Sequence, residues 1–82
     1  MKNLKIRVYK HGKDLPDTTV RIPIDILRIA SRLIPARAMK ALADEGIDVE
    51  EIVRLSEQPE VQGMLVEVED HTKNERVVVM LE

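Results

Sequence analysis

The hydrophobic period of this chain changes twice. Near each end apolar residues recur at every second position, and between them they recur every three to four, with Pro23, Pro35 and Pro59 at or near the changes. A period of two marks a strand with one buried face, and a period of about 3.6 marks an amphipathic helix, so the chain must fold as strands, then helices, then strands. At the N-terminal end Leu4, Ile6 and Val8 alternate with Lys5, Arg7 and Tyr9. The stretch from His11 to Asp17 has the Gly, Pro and Asp content of a loop, and the β-branched run Thr18 to Ile22 returns as a second strand, with Val20 and Ile22 inward. Pro23 ends it, because proline cannot donate to a ladder but fits the start of a helix.

From Ile24 to Ile34 the spacing predicts a first helix. On a helical wheel Asp25, Arg28 and Arg32 fall within roughly 60°, while Ile26, Leu27, Ile29, Ala30, Leu33 and Ile34 span about 160°. That apolar arc is wider than the stripe of about 100° that one core contact needs. A second helix follows from Ala36 to Glu45, burying Ala38, Leu42 and Met39, with Gly46 placed for a left-handed C-terminal cap. A third runs from about Val49 to Glu57, capped by Asp48 with Glu51 three residues on, and buries Val49, Ile52, Val53 and Ser56. Met64 to Glu69 and Arg76 to Leu81 alternate again as strands. The order ββαααββ predicts a single α+β domain over residues 1–82, a four-stranded antiparallel sheet of two hairpins with three helices packed on one face.

Charge divides between the halves. Residues 1–41 carry ten Lys and Arg against three acids, a net of +7, and residues 42–82 carry twelve acids against Arg54, Lys73 and Arg76, a net of −9. Two such halves attract, within one copy or between two. If the first strand lay beside the third, Lys5 and Arg7 would oppose Glu67 and Glu69 across the sheet. The remaining basic stripe of the first helix would then face the acidic third helix, in the same copy or another.

Composition excludes several function classes. Tyr9 is the only aromatic residue, so the chain lacks the stacking platforms of single-stranded nucleic acid modules. There is no cysteine, hence no disulfide framework and no cysteine-based zinc site, as suits a cytoplasmic protein. No apolar run reaches the length of a signal sequence core or a membrane span. Ala41 to Ile52 has the rhythm of a helix-turn-helix, but Glu50, Glu51 and Glu57 on the second helix repel phosphate. His11 and His71 lie in turns near Asp14, Asp70 and Glu75, without the spacing of a metal site. Ser31, Ser56, Thr18, Thr19 and Thr72 have no histidine partner in a recognisable pattern, and Gly12, Gly46 and Gly63 form no phosphate loop. No enzyme chemistry, cofactor or metal ligand is expected.

What the pattern does offer is apolar surface beyond one core. The wide arc of the first helix and the second apolar face of the last strand give Ile26, Ile29, Leu33, Leu65, Val78 and Met80 as candidate protein-interface residues. The expected function is a non-enzymatic interaction or oligomerisation module that self-associates as a homodimer. The alternative is a nucleic-acid-associated regulator using Lys2, Lys5, Arg7, Lys10 and Lys13.

The runs Val20 to Leu27, Gly46 to Ile52 and Gly63 to Asp70 together resemble a bacterial module, the SHOCT-like domain at the N-terminus of YvlB-type proteins that carry adhesin-like repeats. The resemblance implies a small interaction or oligomerisation domain, with no catalytic residues to carry over.

Overall fold

A computed structural model describes residues 2–82. Four strands, β1 (Asn3–Lys10), β2 (Thr18–Pro23), β3 (Gly63–Asp70) and β4 (Glu75–Leu81), form one antiparallel sheet in the order β2-β1-β4-β3. Between β2 and β3 the chain makes a short 3-10 turn (Ile24–Ile26), the single helical turn α1 (Leu27–Ala30), a second 3-10 turn (Ser31–Leu33), and the helices α2 (Ala36–Asp44) and α3 (Val49–Ser56). The expected α+β architecture is thus observed, with two hairpins and the helices on one face of the sheet.

Alternation decides which face is buried. Leu4, Ile6 and Val8 of β1, Ile22 of β2, Val66 of β3 and Val77, Val79 and Leu81 of β4 form the inner face. They join Leu27, Ile34, Ala38, Ala41, Leu42, Ile52 and Val53 of the helical layer in one aliphatic core, and no polar or charged residue among those described is buried with them. Val20, Met39, Val49 and Leu65 pack half-buried around its margin.

The strand order differs from the adjacency of first and third strands considered above. β1 pairs with β4, so Lys5 lies opposite Met80 and Arg7 opposite Val78, while β3 is an edge strand with Glu67 opposite Val78 and Glu69 opposite Arg76. The cross-strand pairs of Lys5 and Arg7 with Glu67 and Glu69 do not form. The reason lies in β4, whose two apolar faces favour a central place, whereas the acidic β3 tolerates an edge. β3 is also irregular. Its register shifts between Met64 and Val66, leaving Leu65 as a bulged residue packed against the core and returning Met64 to the outer face opposite Met80.

The first helix is broken rather than continuous from Ile24 to Ile34. Pro35 bars the helical conformation from Ile34, whose ψ is 123°, and no side chain caps the N-terminus of any of its three segments. With so few residues between Pro23 and Pro35, only one α-turn forms, flanked by 3-10 turns. The other ends behave as their residues dictate. After α2, Gly46 adopts φ +73°, Gly46 N–H donates to Ala43 and Ile47 N–H donates to Leu42, a Schellman closure. At the start of α3, Asp48 Oδ1 accepts from Glu51 N–H at 2.8 Å, while the Glu51 carboxylate turns to Arg54 instead of closing the capping box.

Candidate interaction surfaces

The outer face of the sheet follows from the same alternation. Read across the strands from β2 to β3, the register sets out three rows: Arg21, Lys5, Met80, Met64; then Thr19, Arg7, Val78, Glu67; then Tyr9, Arg76, Glu69, which begins at β1. The face therefore runs from a basic side on β2 and β1, through an apolar stripe on β4, to an acidic side on β3. No helix covers it, since the helices pack on the inner face. Val78 and Met80 are half-buried by their neighbours, and Met64 is 60% exposed.

Ion pairs fix parts of this face. Glu82, just beyond β4, meets Lys5 Nζ at 3.5 Å and Arg21 Nε at 3.3 Å. Desolvation pushes the Glu82 carboxyl up, but Arg21 and Lys5 together outweigh it and hold the group below the usual carboxylate range. Arg76 stands 3.7 Å from Glu67, with its guanidinium carbon 4.2 Å from the centre of the Tyr9 ring, and its Nε is enclosed without a hydrogen-bond acceptor. Arg7, between Thr19 and Val78, makes no ion pair among the described residues.

The second surface lies in the helical layer. Leu27 and Ile34 turn inward, which leaves Ile29 84%, Leu33 60% and Ile26 46% exposed on the opposite side of the broken helix. Of the six residues expected at an interface, Ile26, Ile29 and Leu33 are thus in this layer and Val78 and Met80 on the outer sheet face, while Leu65 packs against the core. The two groups lie on opposite layers of the domain and are not brought together. Met64, missed by the sequence reading, takes the place assigned to Leu65. A strict alternation cannot reveal a bulge, and the only local sign was Gly63 at φ +101° at the strand start.

The division of charge is resolved in part inside one copy. Arg28 of α1 holds Glu50 of α3 through two hydrogen bonds of 2.7 and 2.9 Å, and Arg37 of α2 holds Glu75 of β4 at 2.5 Å. The hydrogen bond to Arg28 keeps the Glu50 carboxyl below its usual range and raises Arg28 in turn. The basic stripe and the acidic helix therefore meet within the chain at Arg28 and Glu50. Lys2 Nζ donates to the carbonyls of Gln58 and Val61, each at 2.8 Å, tying the N-terminal strand to the end of the helical layer.

The two hairpin loops also meet, through a hydrogen bond of 2.8 Å from His11 N–H to the Asn74 carbonyl. His71, Glu69, Asp70, Asp14 and Glu75 line the cleft beside them. Among the described residues no group of three or more His, Asp and Glu is arranged to hold a metal ion, and no helix is long and apolar enough to cross a membrane.

Comparison with known proteins matches residues 2–80 to the family model described as YvlB-like protein, C-terminal domain. No curated protein and no solved structure matches the chain. The resemblance read from sequence also led to YvlB-type proteins, but to a SHOCT-like domain at their N-terminus, whereas the match is to the domain at the other end. With its model spanning nearly the whole sequence, the chain belongs to the family of YvlB-like C-terminal domains.

Proposed function

We propose that this domain is a non-enzymatic protein-interaction module that self-associates, forming a homodimer through the open face of its sheet. The observation that carries this reading is the apolar stripe of Val78, Met80 and Met64, set on and beside a central strand and left uncovered by the helices. A central strand that is apolar on both faces gains from burial on both. One copy supplies cover for the inner face only. The exposed Ile26, Ile29 and Leu33 on the other layer leave a second apolar surface free for a different contact.

The alternative, a nucleic-acid-associated regulator using Lys2, Lys5, Arg7, Lys10 and Lys13, has less support. Lys2 is bound to two carbonyls, Lys5 to Glu82 and Lys13 to Asp17 at 4.0 Å, so the five residues do not form a free basic surface. Light scattering from micromolar to millimolar concentration tests the self-association reading, with the mass rising toward two chains. A mass fixed at one chain, together with retention of nucleic acid on a filter at low salt, would replace it with the alternative.

A further inference from the structure

We propose that the two copies pack face to face about a two-fold axis running along β4, so that Arg7 of each copy meets Glu67 of the other. This rests on the self-association reading above and specifies its geometry. The sequence of charges across the outer face carries it. Strands β2 and β1 present Arg21, Lys5 and Arg7, β4 presents Met80, Val78 and Arg76, and β3 presents Met64, Glu67 and Glu69, with Glu67 3.7 Å from Arg76 of its own chain.

Two limiting orientations of a two-fold axis place such a face on itself in an isologous pair. A two-fold axis lying across the strands would set β1 on β1 and β3 on β3, basic on basic and acidic on acidic. An axis along β4 keeps each row at its own level and exchanges the two sides. Val78 then stacks on Val78, Met80 on Met80 and Arg76 on Arg76, each Arg76 beside Glu67 of its own chain, while β1 of one copy crosses over β3 of the other. In the row of Val78 the residues exchanged are Arg7 and Glu67, each one strand from the axis. Among the described residues Arg7 is the outer-face cation without an ion pair, and this arrangement supplies one. In the row of Met80 the exchanged residues are Lys5 and Met64, which lets the lysine stem cover the exposed thioether. Packed sheets stand about 10 Å apart, a gap that Arg and Glu side chains reaching from opposite sides can span.

Size sets the expected strength. Three strands of eight residues or fewer, at about 3.3 Å per residue and about 4.8 Å between strands, offer a footprint of only a few hundred Å² per copy. That is at or below the low end of specific interfaces, so the dimer is weak and its charge pairing matters to the outcome.

Charge reversal tests the geometry. Arg7→Glu and Glu67→Arg alone each place like charges across both crossings, and each is expected to weaken dimerisation roughly tenfold or more. Mixing the two variants pairs opposite charges at both crossings, so a heterodimer forms with affinity within about threefold of the original. Under the crossed axis each single reversal would still leave like charges facing like, so neither would weaken association, and the mixture would associate more tightly than the wild type. A second arm needs no charge reversal. The chain has no cysteine, so Val78→Cys introduces a single thiol that a bis-maleimide of about 10 Å span should link between copies, while Thr19→Cys, two strands from the axis, should not be linked.

Wild-type chain that remains single at every concentration overturns both the geometry and the reading beneath it. Association that ignores both charge reversals, with no linkage through Val78→Cys, overturns the geometry alone.

Discussion

Leu27 and Ile29 lie two residues apart on the same helical turn and have opposite surroundings: Leu27 is 0% exposed and Ile29 84% exposed. Truncating Leu27 to Ala removes three carbons from the core, about 2.4 kcal/mol at about 0.8 kcal/mol per buried methylene, and leaves a cavity whose cost is added. A total of about 3 kcal/mol follows. For a domain of this size each kcal/mol lowers the melting temperature by about 4–8 °C, so Leu27→Ala should lower it by roughly 12–24 °C. Ile29→Ala removes a side chain already mostly in water, and the better helix propensity of Ala offsets most of what is lost, leaving a change within about 0.5 kcal/mol. Thermal unfolding followed by circular dichroism at low micromolar concentration checks the pair. Equal shifts, or a larger one for Ile29→Ala, would refute the inward rotation of Leu27 and with it the exposed apolar surface of the helical layer.

Asp48→Ala removes the acceptor of Glu51 N–H at the start of α3 and should cost about 1 kcal/mol, read as a lower urea midpoint with unchanged slope. Gly46→Ala places a side chain at φ +73° and should cost about 1–2 kcal/mol, although nothing stands within 4 Å of the added carbon. The Glu50 carboxyl is held low by Arg28, so the native state keeps it ionised where the unfolded chain would bind a proton. The stabilisation is complete above the ordinary carboxylate range and is lost as pH falls through the depressed native value. Glu50→Gln should therefore flatten the acid limb of the stability curve, which denaturant titrations at several pH values would show. A double-mutant cycle between Arg28 and Glu50 should give a small favourable coupling that disappears at high salt, as befits an exposed pair.

The alternation of Leu4, Ile6 and Val8 and of Val77, Val79 and Leu81 made the inner sheet face readable from sequence, and Pro23, Pro35 and Gly46 marked three boundaries correctly. These are local signals, each written into a few neighbouring residues. Strand order is different, because it depends on which edges meet after hairpins have formed. The both-sided apolar character of β4 carried that information, but opposite charge between β1 and β3 suggested another neighbour. Charge pairing at the surface contributes less than burial of Val78 and Met80 in a central strand, so the weaker signal misled. The bulge at Leu65 was invisible for a similar reason: the extra residue moves Met64 to the outer face while Val66, Glu67 and Glu69 keep the faces that alternation gives them. For the candidate surfaces, the wide apolar arc from Ile24 to Ile34 was read correctly as more than one core contact could use, although the helix itself is broken. The meeting of the basic stripe with the acidic third helix was anticipated, but that it occurs inside one copy, between Arg28 and Glu50, depends on the packing of α1 on α3, which no local signal carries.

Sedimentation equilibrium of the wild-type chain beside Val78→Asp, over micromolar to millimolar concentration, tests most directly whether the open sheet face is the surface of self-association. The wild-type mass should rise with concentration from one chain toward two, and Val78→Asp, with a charge in the middle of the apolar stripe, should stay at one chain while keeping its circular dichroism spectrum. A wild-type mass that never rises, or a folded Val78→Asp that associates as the wild type does, would contradict the account.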